Sequence, residues 1–356
     1  MSPSRIQPPK TESLAQATRL LRDAQTVAIP TETVYGLAAD ALNPEAVARI
    51  FAIKNRPRFD PLIVHIHTAD TAPDLAADWP DTAQQLADAF WPGPLTLVLP
   101  KKPLVPDIVT AGTPTVALRC PDHPVPRELI QRIGPLAAPS ANRFTGISPT
   151  TAQHVADELP DKPTLILDAG PTTTGLESTV ISLATTQPTL LRPGGLSIET
   201  IEAITGPLQR PSPSDNPATP QSAPGQSPRH YAPRTPVLLY IDQPPTPDAI
   251  RQASRPPDPT TAREKGGQKV GGAKVGGAAL LTLTPDPDAE NAHPWTTTRC
   301  LSPESDLNLA ATRLFAALRE LDSLQLDLIV AQTTSQSTGI APAIADRLRR
   351  ASHPTV

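Results

Sequence analysis

Two stretches crowded with proline, roughly 207–236 and 244–259, constrain this chain more than any other feature. Proline lacks a backbone N–H and fixes φ, so such segments cannot sit inside a sheet or extend a helix. They also bury too little apolar surface to offset the entropy of ordering, and read as linker and surface insertion. The chain therefore divides into an N-terminal unit over 1–206, a linker over 207–235 and a smaller unit over 236–356, the last with a low-complexity insertion near 256–277. The glycines and lysines of that insertion, Lys265 to Gly277, are nowhere followed by the Ser or Thr that a phosphate loop requires.

On either side of the linker, short apolar runs alternate with helical spacing, which predicts an α/β fold with a mixed sheet in the first unit and a second, smaller α/β pattern after it. Residues 11–24 read as a helix capped by Thr11 or Ser13. Strands are expected at Val27–Pro30, Leu62–Ile66, Leu95–Leu99, Thr115–Arg119, Leu136–Ala138, Leu165–Leu167, Thr179–Leu183 and Leu190–Arg192. In the second unit, Ser305–Leu321 is the clearest helix, with Ser305 as its cap, and Ala341–Arg350 ends in Arg347, Arg349 and Arg350. Basic residues there complement the helix dipole.

A formal net charge of -4 argues against a protein that coats nucleic acid. Two cysteines, Cys120 and Cys300, have neither disulfide-framework nor metal spacing. No apolar run approaches a membrane span and the N-terminus leads into no signal-like segment, so a soluble cytoplasmic protein is expected.

Two blocks carry chemistry. In the first, Thr31-Glu32-Thr33-Val34-Tyr35 follows a strand, and Lys54, Arg56 and Arg58 crowd around Pro57 shortly after. Three neighbouring cations repel unless an anion neutralises them, and a triphosphate does so well; a solvated basic turn also fits. The second block, Ser140-Ala141-Asn142 through Ser148-Pro149-Thr150, lies between a strand and a helix. It fits an anion site or simple capping by Ser148 or Thr150. His65 and His67 have metal spacing but no third ligand, so no metal site is assigned.

Together these residues resemble the YrdC family of threonylcarbamoyl-adenylate synthases. Lys54-x-Arg56 with Ser140-x-Asn142 is similar to that family's signature. The likeness runs from Val27 to Ile201 through Trp91-Pro92-Gly93-Pro94, Val116-Ala117-Leu118-Arg119, Glu177-Ser178-Thr179 and Leu191-Arg192-Pro193-Gly194. Ala223-Pro224-Gly225 with Arg229-His230-Tyr231, and the closing Asp346-Arg347-Leu348-Arg349-Arg350, resemble its two-domain members. The resemblance implies a YrdC-like mixed twisted sheet with flanking helices and a smaller C-terminal Rossmann-like domain. It implies ATP, L-threonine and bicarbonate as substrates, Mg²⁺ brought in by ATP, and a product passed to a tRNA threonylcarbamoyl transferase.

Nucleotide and phosphate handling falls to Lys54, Arg56, Ser140 and Asn142, the first two expected in an exposed cleft, with Arg58, Thr115, Ser148 and Arg192 as further contacts. Thr31, Thr33, Tyr35, His65, Arg119, Ser140 and Ser178 are candidates for a threonine pocket, Arg119 matching the carboxylate. Arg229, His230 and Tyr231 form a candidate lid over the phosphates. An RNA-binding module of the same fold is the non-enzymatic alternative, and direct tRNA contact is left open.

Overall fold

The computed structural model describes residues 5–210, 225, 227–254 and 277–352. The proline–serine stretch 211–221, Ala223-Pro224 and the glycine–lysine repeat lie outside these residues. In chain order the elements are β1 (Ile6–Gln7), α1 (Thr11–Arg22), β2 (Val27–Ile29), β3 (Gly36–Asp40), α2 (Pro44–Lys54), β4 (Ile63–His65), α3 (Ala72–Leu75), α4 (Asp81–Phe90), β5 (Leu95–Pro100), α5 (Asp107–Thr110), β6 (Thr115–Arg119), α6 (Pro124–Ile133) and β7 (Leu136–Ala137). There follow α7 (Ala152–Glu158), β8 (Ile166–Leu167), β9 (Thr179–Ser182), β10 (Thr189–Arg192), α8 (Ile198–Thr205), β11 (Val237–Tyr240), α9 (Pro247–Ala253), β12 (Ala278–Thr282), α10 (Pro287–Asn291), β13 (Thr297–Cys300), α11 (Leu307–Ser323), β14 (Leu328–Gln332) and α12 (Ala341–Ala351). None of the described helices is long and apolar enough to cross a membrane.

The first ten strands form one mixed sheet in the order β1-β8-β2-β3-β7-β4-β6-β5-β9-β10. Strand side chains alternate between faces. One face, with Val64, Leu97, Leu118 and Ile181, packs on α2, α4 and α8. The other is covered by α1 and α6 only over β2, β3 and β7, where Leu14, Leu21 and Leu129 meet Val27, Ile29 and Leu136. Over β4, β6 and β9 that face is free of α1 and α6, and Gly225, His230 and Tyr231 of the connecting segment border the cavity there.

The second unit is a parallel sheet, ordered β11-β14-β12-β13. Ile250 of α9 and Ala289 of α10 cover one face. Leu314 and Phe315 of α11 with Ile344 and Leu348 of α12 cover the other, in one apolar cluster with Val34, Ile147 and Leu176 of the first unit. The approach is close. Gly175 has φ +75°, and a Cβ there would lie 2.4 Å from the Cα of Thr312 in α11.

Three sequence expectations need correction. The stretch 244–259 is not all insertion: Pro247–Ala253 is helical, with Pro247 in the first turn, where a missing N–H costs nothing, and Thr246 capping it. The cap of α11 is Asp306, whose side chain accepts from Asn308 N, while Ser305 sits at φ 61°. Arg347 does not complement a dipole at the surface but is fully buried between the units.

Candidate active site

Helix α2 is pinned at its start by Asn43, which accepts from Glu45 N and Ala46 N, and stops at Asn55 in the left-handed conformation, φ 52°. That turn sends Lys54 and Arg56 inward rather than into an open cleft; they are 1% and 7% exposed. Lys54 Nζ donates to the carbonyls of Ser140 and Asn142, fastening α2 to the loop after β7. Arg56 pairs with Asp60 at 2.8 Å, donates to the Asp60 and Pro61 carbonyls, and faces the Phe144 ring. The crowded cations thus already have one internal anion, four residues on.

On the uncovered sheet face, parallel pairing sets Ile63 opposite Ala117 and His65 opposite Arg119. Both members of each pair share one face of the sheet, where Ile63, His65 and Arg119 line a cavity of about 40 Å³. The site therefore lies over a sheet face, whereas the expectation for an open sheet is the end of its strands. Arg119 Nη2 donates to Glu32 Oε1 at 2.6 Å and Thr33 Oγ1 at 2.8 Å, and its Nε donates to the Gly93 carbonyl. Thr31 and Thr33 share a hydrogen bond of 2.8 Å, so this turn supports Arg119 from behind. Ser178 Oγ pairs with Thr96 Oγ1 at 2.8 Å and receives Arg192 Nη2 at 3.2 Å.

Arg56, His65, Arg119, Ser140, Ser178, Arg192 and Tyr231 line the cavity, as expected of one site. Lys54, Thr31, Thr33 and Asn142 stand one contact behind it; Asn142 Nδ2 braces its own loop through the carbonyls of Arg143 and Gly146. Ser148 reaches the wall through Glu177, to which it donates. Four expected residues are not brought in. Tyr35 turns away to donate to the Gly170 carbonyl at 2.7 Å. Thr115 begins β6 and lies about 13 Å from Arg119 by strand geometry. Arg58 and Arg229 are exposed.

The sequence motifs do not mark Glu177 or Asp60 individually. The signals were present: Glu177 precedes Ser178 in a quoted motif, and Asp60 stands at i+4 from Arg56. Around the cavity Lys54, Arg56, Arg119, Arg192 and Arg347 outnumber Glu32, Asp60 and Glu177. Burial, then the Arg56 charge, holds Lys54 well below the usual lysine range. Burial and Arg119 bring His65 down to about 3, and burial with the surrounding cations lowers His230. Both imidazoles are thus neutral at ordinary pH. Among the described residues, His230 Nδ1 and Tyr231 Oη are buried without a hydrogen-bond partner. Among the described residues no three His, Cys, Asp or Glu side chains are grouped to hold a metal ion.

Residues 19–194 match the family described as "Telomere recombination", that of the Sua5, YciO and YrdC proteins, and residues 196–353 match "Threonylcarbamoyl-AMP synthase, C-terminal domain". The threonylcarbamoyl-AMP synthase of Bacillus subtilis is 40% identical over 340 residues, covering 95% of this chain and 92% of its own. That of Pyrococcus abyssi is 40% identical over 338 residues, covering 94% and 93%. A crystal structure of P. abyssi Sua5 complexed with L-threonine superposes with a TM-score of 0.81 at 37% identity, over 98% of this chain and 96% of that one. With both halves matched in order along nearly its whole length, the chain belongs to the two-domain threonylcarbamoyl-AMP synthase family.

Proposed function

We propose that the chain makes L-threonylcarbamoyl-AMP from L-threonine, CO₂ or bicarbonate, and ATP, releasing pyrophosphate as a nucleotidyltransferase. The observation that carries this reading is a pair of half-used arginines in one cavity. Arg56 and Arg119 each commit Nε and Nη2 to the protein, and among the described residues no hydrogen bond engages either Nη1. Two such groups suit a reaction that brings a phosphate and a carboxylate together.

In this reading Arg119, braced by Glu32 and Thr33, takes the threonine carboxylate, while Val34 and Ile63 offer apolar wall to the methyl group. The threonine amine adds to CO₂ and loses a proton, giving a carbamate. A carbamate oxygen then attacks the α-phosphorus and pyrophosphate leaves. The protein's part in such a transfer is positioning and charge stabilisation, here by Arg56 and Arg192, with Lys54 holding the Ser140 loop. His65, at about 3, is a hydrogen-bonding wall group rather than the base.

Mg²⁺ enters as part of the MgATP substrate. Glu32, Asp60 and Glu177 are each ion-paired with an arginine, so holding an ion on the protein would break a buried pair. The product would go to a transferase acting on tRNA. Direct RNA binding by this site is disfavoured because its cations are buried, beyond reach of a nucleic-acid backbone.

The test is pyrophosphate release that requires both threonine and bicarbonate, with mass detection of the adenylate. Release that persists without threonine overturns the reading.

A further inference from the structure

Arg347 is the largest fully buried side chain among the described residues, and it does not itself line the cavity. It comes from α12, in the second unit. Its Nε donates to Glu177 Oε2 at 2.8 Å and its Nη1 to Asp346 Oδ2 at 2.7 Å, and its guanidinium carbon lies 5.0 Å from the centre of the Tyr231 ring. Glu177 and Tyr231 both line the cavity. One cation of the second unit therefore holds two walls of a site otherwise built by the first unit and the connecting segment.

Its charge matters as much as its reach. A bare carboxylate in the wall of a cavity for a polyphosphate would repel the ligand at close range in a poorly screened setting. Glu177 Oε1 is occupied by Ser148, but a hydroxyl leaves the charge in place. Arg347 supplies the compensating cation. Asp346 does not remove it from service, because Arg350 pairs with the other oxygen of Asp346 at 2.9 Å.

We propose that Arg347 is a positioning residue for polyanion binding: by neutralising Glu177 and backing Tyr231, it lets the C-terminal unit complete the nucleotide site. The proposal rests on the reading that the cavity takes ATP.

The test compares the full chain with Arg347→Met, Glu177→Gln and the double variant, titrating ATP, inorganic pyrophosphate and, as a control lacking the polyanion, threonine. Arg347→Met should weaken ATP and pyrophosphate at least about tenfold and threonine less than about threefold, because it strands a buried carboxylate. Adding Glu177→Gln should then restore ATP affinity to within about threefold of the parent, since the stranded charge is gone. A residue that merely held the fold would show no such rescue. An Arg347→Met variant that binds ATP like the parent overturns the proposal. So does a double variant that fails to fold, or that folds and binds ATP no better than Arg347→Met. If Arg347→Met alone does not fold, the double variant carries the test, having no unpaired charge to bury. A parent that binds ATP but releases no pyrophosphate with threonine and bicarbonate counts against the proposed function alone.

Discussion

Lys54 shows how a residue is legible as chemistry and illegible as structure. Its neighbours in sequence mark it as a phosphate-handling cation, and nothing in them says that it is buried beneath two carbonyls of a loop 86 and 88 residues away. Removing it therefore loosens the fold as well as the site. Lys54→Met keeps most of the stem, yet strands two carbonyls that had a charged donor, and should cost about 1.5–3 kcal/mol of stability. Chemical denaturation of the variant checks this, and an unchanged midpoint would return Lys54 to a purely ligand-facing role. The buried imidazoles give a second expectation. A folded-state value of about 3 for His65 and about 4 for His154, both lowered chiefly by burial, means the unfolded chain binds protons first as pH falls below the ordinary histidine value of 6.5. The histidine contribution should be flat above 6.5, and stability should decline as pH falls from there toward 4, less steeply in His65→Gln; each such histidine contributes at most about 1.4 kcal/mol per pH unit. Equilibrium unfolding across that range decides it.

Elements were legible where apolar periodicity was strong. Thr115–Arg119 is found at the expected limits. Those that escaped lack the usual markers. β3 is Gly-Leu-Ala-Ala-Asp, without a β-branched residue, and exists because β2 and β7 pair on both sides of it. α6 opens with two prolines in its first turn, which imitates a loop although proline is tolerated there. At the start of α11 the cap was placed one residue early, since Ser and Asp are both good caps and only the chain direction distinguishes them. That difference can be measured. Asp306→Ala should cost about 1 kcal/mol by leaving Asn308 N unpaired. Ser305→Gly should cost nothing and should tend to stabilise, because φ 61° suits glycine better than serine. Thermal denaturation of the two variants should order them accordingly; equal losses would show that the local geometry does not set stability.

At the scale of the whole molecule, the 225–232 segment ties both units to the site. The sequence suggests a lid over the polyanion; in the structure Tyr231 packs on the second unit and also lines the cavity. Its ring stacks on Phe315 at 5.4 Å, the residue lines the cavity, and among the described residues its buried hydroxyl has no hydrogen-bond partner. His230 N donates to the Arg350 carbonyl and Ala232 N to the Thr145 carbonyl, one anchor in each unit. Tyr231 itself is held at φ 59°, a conformation a bulky residue adopts only when its surroundings impose it. A buried wall of this kind would exclude water, and a carbamoyl-adenylate is open to hydrolysis, so the expectation to test is that the Tyr231 wall protects the product. Two substitutions separate the ring from the hydroxyl. Tyr231→Phe keeps the stack and the wall and should yield nearly the parent's ratio of adenylate formed to ATP consumed. Tyr231→Ala removes both and should lower that ratio, with ATP still consumed. Measuring adenylate by mass against total ATP turnover in the three proteins gives the answer. If Tyr231→Ala converts ATP to adenylate as completely as the parent, the segment is a connector, and the closure of the cavity around it has no bearing on the fate of the product.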